Sequence, residues 1–566
     1  MRRHRGRATP PAPIMVRTRA LRKLRVMGKH YVTTPIYYVN DRPHIGHCYT
    51  TLVADADARL ARLRLGAAGK VFFLTGTDEH ADKVVTSAAS HGMAAIQWAD
   101  RNAAEFERAF RFIKASNDDF IRTTQDRHKM RVTEYVTALM KSGAIYKGTY
   151  EGWYDENQEE YLTETVAKEA GYKSPVTGKP LVKRSEACYF FKLSAYQTRL
   201  ETLFNQNATF VEPEARFNEV RGRLRQGLND VPVSRPVTDD PATQFGIRVP
   251  GDEAHRIYVW IDALFNYLSV VDTDERRAFW PADVHFIAKD ILWFHAVIWP
   301  AMLMALQDCG GRFAFVELPK TVYCHAYWVR EGKKMSKSLG NFVTIEVLEA
   351  YAAKFGLDAV RWYLLTQGPL GSTDADFSHA KFVEVYNADL ANGIGNCASR
   401  VSNMIEKYFG GEMPARDAAH DHADYDFAAL ARKALGEAER AHDVHDVSSA
   451  LLAGISLVRS VDSYINTTAP FKLAKTLEQN PAAKAHLATI LYTCAEAVRV
   501  ASVLLSEALI ERVPSLWQAW GCTPTSGATL GDLCTFGGAH ALKPGSRLTK
   551  FEALYMRADP SEAPPA

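Results

Sequence analysis

With 566 residues, the chain is too long for a single hydrophobic core, and we expect two to four domains. Its 47% hydrophobic and 23% charged residues are typical of soluble globular proteins, and no apolar run approaches the ~18 residues that span a bilayer, so we expect no membrane association. The net charge of +3 conceals an asymmetry, because the first 30 residues carry ten basic side chains and no acidic one. The rest of the chain therefore has a net charge of −7, and a nucleic acid would have to bind it through local basic patches.

Residues 1–29 are rich in arginine and interrupted by proline, which predicts a basic leader that is disordered or serves in targeting. A mitochondrial transit peptide is one reading, since such peptides are Arg-rich and poor in acids. The other reading is that the start of the protein has been assigned too far upstream, because Met27 immediately precedes the first predicted strand. We favour a cytoplasmic protein and keep the mitochondrial matrix as the alternative. The eight cysteines form no Cys-x-x-Cys pair, which fits a reducing compartment and predicts no disulfide framework.

Residues 30–145 alternate between predicted strands and helices. The apolar run 31–39 is followed by Pro43-His44-Ile45-Gly46-His47 and by a predicted helix over 50–65, so both histidines should lie at a helix N-terminus, where anions bind. A second apolar run, 71–75, is a predicted buried strand that ends at Gly76-Thr77-Asp78-Glu79-His80. Ligands of open α/β sheets lie at the carboxyl ends of strands, so Asp78 is a candidate binding residue, although it could also cap the next helix.

Residues 146–228 interrupt this alternation, and residues 229–345 resume it. Near the end of the second stretch, Lys334-Met335-Ser336-Lys337-Ser338 places two lysines around small hydroxyl residues, with glycines on either side. Ammonium groups are compact charges that bind phosphate well, and glycine gives a loop the freedom to move. Either motif alone is weak, since the lysines could be a solvated loop and the histidines a structural pair or half of a metal site. The two motifs in this order are a strong signal.

With His44 to His47 as a HIGH motif and Lys334 to Ser338 as an unaltered KMSKS motif, the chain resembles the class I aminoacyl-tRNA synthetases, and among them the methionyl-tRNA synthetases, from about residue 30 to 550. The resemblance implies an α/β Rossmann-like catalytic domain with an inserted connective domain, followed by an all-α anticodon-binding helical bundle. The implied ranges are a catalytic domain at 30–145 and 229–345, an insertion at 146–228, a stem-contact connector at 346–380, the bundle at 381–545 and a C-terminal tail at 546–566.

The implied reaction is the ATP-dependent attachment of methionine to tRNA(Met) through methionyl adenylate. The resemblance assigns catalysis to His44, His47, Lys334 and Lys337, and it adds Gly46, Asp290 and Ser336 as ATP contacts. We expect Mg²⁺ to enter with ATP, held mainly by phosphate oxygens and water. Two rival readings are another class I specificity such as cysteinyl, and a catalytically silent paralogue that only binds RNA.

The methionine pocket should be aromatic, because the methionine side chain is flexible and its sulfur makes favourable contacts with ring edges. The resemblance supplies Asp78 for the substrate's ammonium group, Arg235 for its carboxylate, and a side-chain pocket of Ile36, Tyr38, Trp260, Tyr267, Phe294, His295 and Trp299. Aromatic core packing is the alternative reading of this set. The family usually has glycine before Lys289-Asp290, whereas this chain has Ala288, whose methyl group could crowd a nucleotide.

From Phe382 onward, apolar residues recur at helical spacing. The resemblance assigns anticodon recognition to Asn396 and Arg400, one turn apart, and to Phe471, which replaces the family's usual tryptophan. Asp155 and Gln158 stand where many relatives have zinc-binding cysteines, so we expect a zinc-free insertion and no bound metal. The appended C-terminal tRNA-binding module of some relatives is absent, and we expect a monomer.

Overall fold

The computed structural model of the chain describes residues 28–156, 160–162, 164–330, 332–335, 341–477, 480, 482–549 and 553–565. The strands are β1 Lys29–Tyr38, β2 Lys70–Asp78, β3 Asp119–Arg122, β4 Ile145–Asp155, β5 Glu160–Leu162, β6 Val182–Phe191, β7 Val211–Glu212, β8 Val231–Pro232, β9 Ser234–Pro236, β10 Arg248–Val249, β11 Asp252–Ile257, β12 Val284–Ala288, β13 Thr321–His325, β14 Trp328–Arg330, β15 Lys333–Lys334 and β16 Ala375–Asp376. The leader up to residue 27 lies outside the described residues.

Helices cover most of the remaining chain. They are α1 Ile45–Leu65, α2 Asp82–Ser90, α3 Ala95–Phe112, α4 Asp126–Lys141, α5 Glu164–Glu169, α6 Gln197–Gln206, α7 Glu214–Leu224, α8 Pro241–Gln244, α9 Val259–Leu264, α10 Asn266–Ser269, α11 Trp299–Asp308, α12 Ile345–Phe355, α13 Leu357–Gln367, α14 His379–Val385, α15 Asn396–Phe409, α16 Phe427–His442, α17 Val447–Thr468, α18 Pro470–Leu473, α19 Ala483–Leu504, α20 Arg512–Trp520 and α21 Leu530–Cys534. Two π-helical segments, Phe294–Ile298 and Tyr386–Gly395, precede α11 and α15.

A six-stranded parallel sheet forms the centre of the catalytic domain, in the order β3-β2-β1-β12-β13-β7. Its central strands are buried along most of their length, as expected for strands covered by helices on both faces, and Phe72, Phe73 and Leu74 of β2 are buried. The first half of the domain lies on one side of β1 and the second half on the other. The carboxyl ends of β1 and β12 thus meet at the point where strand order reverses, which is where such sheets bind ligands. The predicted Rossmann-like fold is confirmed.

The insertion has its own antiparallel sheet, in the order β5-β4-β6-β8. Two strands cross the boundaries drawn from the sequence. β7 falls within 146–228 but pairs with β13 at the edge of the main sheet, and β8 falls within 229–345 but pairs with β6. Short strands that pair with distant partners leave no local pattern, so the sequence placed these limits differently. Asp155 is buried at the end of β4, and Gln158 lies outside the described residues.

The part of the chain described after β16 is helical, in agreement with the predicted bundle. Its core helix, α19, is long and apolar enough to cross a membrane, the single such helix among the described residues. Residues 487–504 of this helix are buried inside the protein, and Glu496 and Arg499 form an internal ion pair on it at 2.7 Å. Such burial is what the core helix of a globular domain shows.

One buried guanidinium joins the catalytic domain to the helical part. Arg361 of α13 is 0% exposed and lies 2.7 Å from Asp55 of α1. Its other nitrogens donate to the carbonyls of Ile113 at 2.8 Å and Ala508 at 3.2 Å. The C-terminal tail returns to the same helix, where the Tyr555 hydroxyl donates to Asp358 at 3.0 Å. A buried charge is tolerated only when its donors are satisfied, so these contacts fix how the three segments meet.

Candidate active site

The two histidines of the first motif hold each other at the start of α1. The Nδ1 atom of His44 accepts a hydrogen bond from the backbone N–H of Gly46, and the backbone N–H of His44 donates to Nδ1 of His47, both at 3.1 Å. Since each Nδ1 is an acceptor, the proton of each neutral ring is on Nε2. Burial and the neighbouring His44 hold the pKa of His47 well below its ordinary value. A side chain at position 46 would lie 3.0 Å from the His44 ring, which explains the glycine.

The first backbone N–H groups of α1 are used within the protein. Ile45 donates to the carbonyl of Val343 at 3.0 Å, Gly46 donates to the His44 ring, and His47 donates to the His44 carbonyl at 3.0 Å. The sequence predicted an anion site at this helix N-terminus, where unpaired N–H groups usually provide the donors. Here the backbone donors are already paired. An anion at this end of α1 is therefore met by imidazole Nε2–H groups.

The segment that follows the lysine motif in sequence lies directly against these histidines. Thr344 pairs with His44 in an isolated antiparallel bridge, and the rings of Phe342 and His44 have centroids 5.0 Å apart. Together with the hydrogen bond from Ile45 to Val343, these contacts join segments that lie roughly 300 residues apart. Residues 342–344, just after the lysine motif, therefore lie against the first motif, while the meeting of the lysines with the histidines stays a prediction.

The start of the lysine motif is a short strand. Lys334 ends β15, which pairs with β14 in the register Val329↔Lys334. β14 in turn pairs in parallel with β16. Ser336 and Lys337, predicted to contact ATP, lie outside the described residues.

Two of the predicted substrate residues stand side by side at the carboxyl ends of the central strands. Tyr38 of β1 and Asp78 of β2 are in register, as are Ile36 and Gly76 two residues earlier. Asp78 is 3% exposed. A buried carboxylate at a strand end beside an aromatic ring is suited to bind a substrate cation.

Aromatic rings form one wall next to this carboxylate. Trp260 and Phe294 are stacked, with centroids 4.1 Å apart and planes inclined by 12°, and the Tyr38 ring meets Trp260 edge-on at 6.0 Å. The π-helical segment that begins at Phe294 orients this ring; π-bulges are frequent at functional sites. The three rings offer an apolar, polarisable surface for a flexible side chain.

His295 and Tyr267 form a fixed pair in the same region. Nδ1–H of His295 donates to the carbonyl of Ile291 at 2.9 Å, so its Nε2 accepts the Tyr267 hydroxyl proton at 2.8 Å. Burial lowers the pKa of His295 to about 4, which keeps the ring neutral. Both protons of the pair are therefore committed, and His295 positions Tyr267 without donating to a ligand.

Trp299 lies in the hydrophobic core at the start of α11. Its side chain is 0% exposed, its indole N–H donates to Nε2 of His285 at 3.3 Å, and its ring centroid is 6.0 Å from that of Tyr267. Nδ1 of His285 in turn lies 2.7 Å from the Thr33 hydroxyl. These contacts make Trp299 a support behind Tyr267, a position that sequence periodicity does not distinguish from the pocket.

Arg235 lines a small neighbouring cleft at the base of the insertion. Its guanidinium lies 4.1 Å from the ring centroid of Tyr258 and 5.4 Å from that of Tyr154, and it donates to the carbonyl of Ser234 at 3.1 Å. His80, two residues beyond Asp78, lines the same cleft. Arg235 is thus held between the insertion and the loop after β2.

Asp290 follows β12 on a short exposed turn. Burial and the adjacent Asp290 raise the pKa of Tyr327, and Lys289 lies 2.7 Å from Asp374. Ala288, where the family usually has glycine, has φ −86° and ψ 160°. That is extended backbone open to any residue, so alanine fits this position without strain.

A buried network of hydrogen-bonded side chains, which the sequence did not reveal, joins the two edges of the site. Asp262 accepts from His80 at 2.6 Å and from His128 at 2.7 Å. Burial would raise the pKa of Asp262, but the two histidines lower it to about 2. Because His80 belongs to the loop after Asp78 and Asp262 to the helix of Trp260, this carboxylate fixes the distance between them. The partners are 182 and 134 residues apart, and no local signal could have paired them.

The three residues predicted to bind the anticodon lie on α15 and α18 of the helical part. Arg400 of α15 is bound to Asp462 of α17 at 3.0 Å, and Asp462 also accepts from Asn466 at 3.2 Å. Asn396 lies one helical turn before Arg400 and is partly exposed. Phe471 is 44% exposed on α18, close in sequence to Asn466. An exposed aromatic ring and amide and guanidinium groups are the kinds of side chain that bind unstacked bases.

Comparisons with known proteins agree with this geometry. The family described as tRNA synthetases class I (M) matches residues 30–171 and 170–402. The methionine–tRNA ligase of Streptomyces coelicolor is 41% identical over 550 residues, which cover 94% of this chain and 97% of that protein. That of Bacillus subtilis is 37% identical over 548 residues, 94% of this chain and 78% of that protein. Mycobacterium tuberculosis methionyl-tRNA synthetase in complex with methionyl-adenylate superposes with a TM-score of 0.82 at 34% identity, covering 94% of this chain and 100% of that one.

We expect the His295 ring to stay neutral, with its proton on Nδ1, between pH 8 and pH 5, because burial lowers its pKa to about 4 and the Ile291 carbonyl accepts from Nδ1. Long-range ¹H–¹⁵N spectra of protein labelled at histidine nitrogens measure both properties. In a Tyr267→Phe variant the Nε2 resonance should shift while the tautomer is unchanged. A ring that titrates near pH 6.5, or a proton on Nε2, would contradict this geometry.

Proposed function

The chain belongs to the methionyl-tRNA synthetases of class I, and we propose here how its residues perform the family's reaction. It attaches methionine to tRNA(Met) through methionyl adenylate at the expense of ATP, releasing AMP and pyrophosphate. The observation that carries the assignment of roles is the backbone contact between Ile45 and Val343, because it brings the segment after the lysine motif to the paired histidines. The stacked rings beside Asp78 supply the amino-acid pocket.

In the first step, the methionine carboxylate attacks the α-phosphorus of ATP in line, and the bond to pyrophosphate breaks. Such a reaction needs positioning and charge stabilisation more than covalent chemistry. We propose that Nε2–H of His44 and of His47 donate to phosphate oxygens as charge develops. Lys334 and Lys337 would neutralise the leaving pyrophosphate, with Mg²⁺ entering as part of the ATP substrate. Gly46 leaves room for the adenine, and Ser336 and Asp290 complete the nucleotide contacts.

The amino acid is held at the ends of β1 and β2. Asp78 would bind the ammonium group, Arg235 would support the carboxylate, and the thioether would lie against Tyr38, Trp260 and Phe294, with Ile36 beside them. Sulfur is a weak acceptor, so an apolar wall suits it better than a strong donor. This agrees with the Tyr267–His295 pair, whose protons are already committed to each other and to Ile291.

In the second step, a terminal hydroxyl of the tRNA attacks the carbonyl carbon of the adenylate, and AMP leaves. We propose that Asn396, Arg400 and Phe471 recognise the anticodon, with Asp462 orienting Arg400. We further propose a monomer that acts in the cytoplasm with a zinc-free insertion, the mitochondrial matrix being the alternative location.

The specificity is tested by amino-acid-dependent exchange of pyrophosphate into ATP. We expect exchange with methionine and little with cysteine or leucine, because the described pocket residues offer aromatic faces and no thiolate set for a metal. Exchange driven by cysteine would favour the cysteinyl reading. Binding of tRNA(Met) without any exchange would favour a silent RNA-binding paralogue.

Lys337→Ala should slow adenylate formation by a factor of ~10² or more, the loss expected for one transition-state contact, with little change in the KM for methionine. Pyrophosphate exchange measures both parameters. Lys333→Ala is the matched control, since it removes a lysine from the same loop that has no assigned role, and its rate should stay near that of the parent protein. A near-normal rate in Lys337→Ala would remove this lysine from the mechanism.

Arg400→Ala should lower kcat/KM for tRNA(Met) by ~10- to 100-fold, which corresponds to roughly 1–3 kcal/mol for a base contact. Methionine-dependent pyrophosphate exchange should be unchanged, because that reaction does not use the anticodon. Arg459→Ala is the control, since Arg459 lies on α17 and pairs with Asp389 at 3.0 Å but has no assigned role. Equal losses in both variants would show a general effect of charge.

A further inference from the structure

A cluster of imidazoles surrounds one carboxylate where the catalytic sheet meets the helical part. His30 lies on β1, Asp57 on α1, and His445 in the turn between α16 and α17. Nε2 of His30 is 2.6 Å from one oxygen of Asp57, and Nδ1 of His445 is 2.9 Å from the other. The three residues are 8%, 0% and 9% exposed. None of them has a part in the reaction described above.

These three side chains have the composition and spacing of a metal site. One ligand atom from each lies within 4.8 Å of the others. Around Zn²⁺, bonds of about 2.0–2.2 Å keep ligand atoms about 3–4 Å apart, so Nε2 of His30 and the Asp57 oxygen, now 2.6 Å apart, would separate by roughly half an ångström or more on binding. Two imidazoles and a carboxylate suit a borderline divalent cation.

A second carboxylate stands behind His30, as it does behind many metal-binding histidines. Nδ1 of His30 faces Asp283 at 3.9 Å, and Asp283 is itself held by the backbone N–H of Tyr31 at 2.8 Å and by Lys320. A histidine that binds a metal through Nε2 keeps its proton on Nδ1, and a carboxylate on that side orients the ring. At 3.9 Å Asp283 attracts the Nδ1 side of the ring without a hydrogen bond, and Nε2 lies toward Asp57.

The fourth side chain of the cluster, His442, is excluded as a ligand by its own hydrogen bonds. Its Nδ1 accepts from Arg64 at 2.6 Å, and an arginine can only donate. The proton of the neutral ring is therefore on Nε2, which donates to the backbone carbonyl of Asp57 at 3.2 Å. His442 is consequently a control residue of the same type at the same place.

The backbone at His445 supports the assignment. This residue has φ +59°, in the left-handed region, which costs a non-glycine residue of order 1 kcal/mol or more and persists only where surrounding contacts hold it. The conformation brings its side chain into the interface, where Nδ1 reaches Asp57.

We propose that His30, Asp57 and His445 bind one divalent cation of the Zn²⁺ class, which links the catalytic sheet to the helical domain. The site is separate from the insertion, for which the sequence predicts no zinc. The remaining coordination position would be filled by the second Asp57 oxygen or by water. The role is structural, since no residue of the reaction lies in the cluster.

The test uses the full chain, stripped with a chelator and titrated with Zn²⁺ in competition with a chromophoric chelator, and with Co²⁺ followed by its visible absorption. We expect one equivalent of tightly bound Zn²⁺ and a rise in Tm on binding. His445→Gln and His30→Gln should weaken Zn²⁺ binding by at least ~100-fold, and Asp283→Asn by ~10- to 100-fold. His442→Gln should stay within about threefold of the parent protein, since it is not a ligand.

Circular dichroism and pyrophosphate exchange establish that each variant is folded. If a ligand variant does not fold, Asp283→Asn provides the test in its place. The proposal fails if the parent protein binds no Zn²⁺ at about 10⁻⁴ M, because a structural zinc site has a dissociation constant well below that concentration. It also fails if His442→Gln loses as much affinity as His445→Gln, or if binding survives both ligand substitutions. A hydrogen-bonded cluster without an ion would give the first of these results.

Discussion

The active site depends on one backbone contact, the hydrogen bond from Ile45 to the carbonyl of Val343. It joins the beginning of α1 to the chain that follows the lysine motif, and it uses an N–H group that a helix start would otherwise leave unpaired. Because the next N–H groups go to the His44 ring and carbonyl, the helix end has no backbone donors left for a phosphate. We therefore propose that the negative charge that develops on the phosphates is met by side chains, namely the two imidazoles and the lysines.

Hydrogen bonds within the protein also fix the position of the ring proton in several histidines of the catalytic domain. His44 and His47 accept at Nδ1, His295 accepts at Nε2, and His80 and His128 share the oxygens of Asp262. In every case one ring nitrogen is fixed by the protein, and this decides what the other nitrogen can do. Burial lowers the pKa of both His47 and His295, so these rings are neutral and their tautomers are set by geometry. A site built this way needs little rearrangement as charge develops on the substrate.

The sequence predicted the features that depend on local pattern. Apolar runs before His44 and before Gly76 indicated buried parallel strands, and the helical periodicity after Phe382 indicated the bundle. Long-range pairing was beyond its reach. The edge strands β7 and β8 belong to sheets whose other members lie far away in the chain, and the Asp262 chain joins residues more than a hundred positions apart. Trp299 shows the same limit, since an apolar aromatic residue reads alike in a pocket and behind it.

Helix α1 links the predicted catalytic histidines to the helical part of the chain. Its N-terminus carries His44 and His47, while Asp55 and Asp57, about 15–18 Å further along at 1.5 Å per residue, meet the rest of the chain. Asp55 binds Arg361, which also holds the carbonyl of Ala508, and Asp57 meets His445. Breaking one partner of such a buried pair costs about 3–5 kcal/mol, because the other charge is left unpaired. The helical domain therefore packs on the same helix that carries His44 and His47. Buried charges, in addition to apolar packing, set its orientation relative to these histidines.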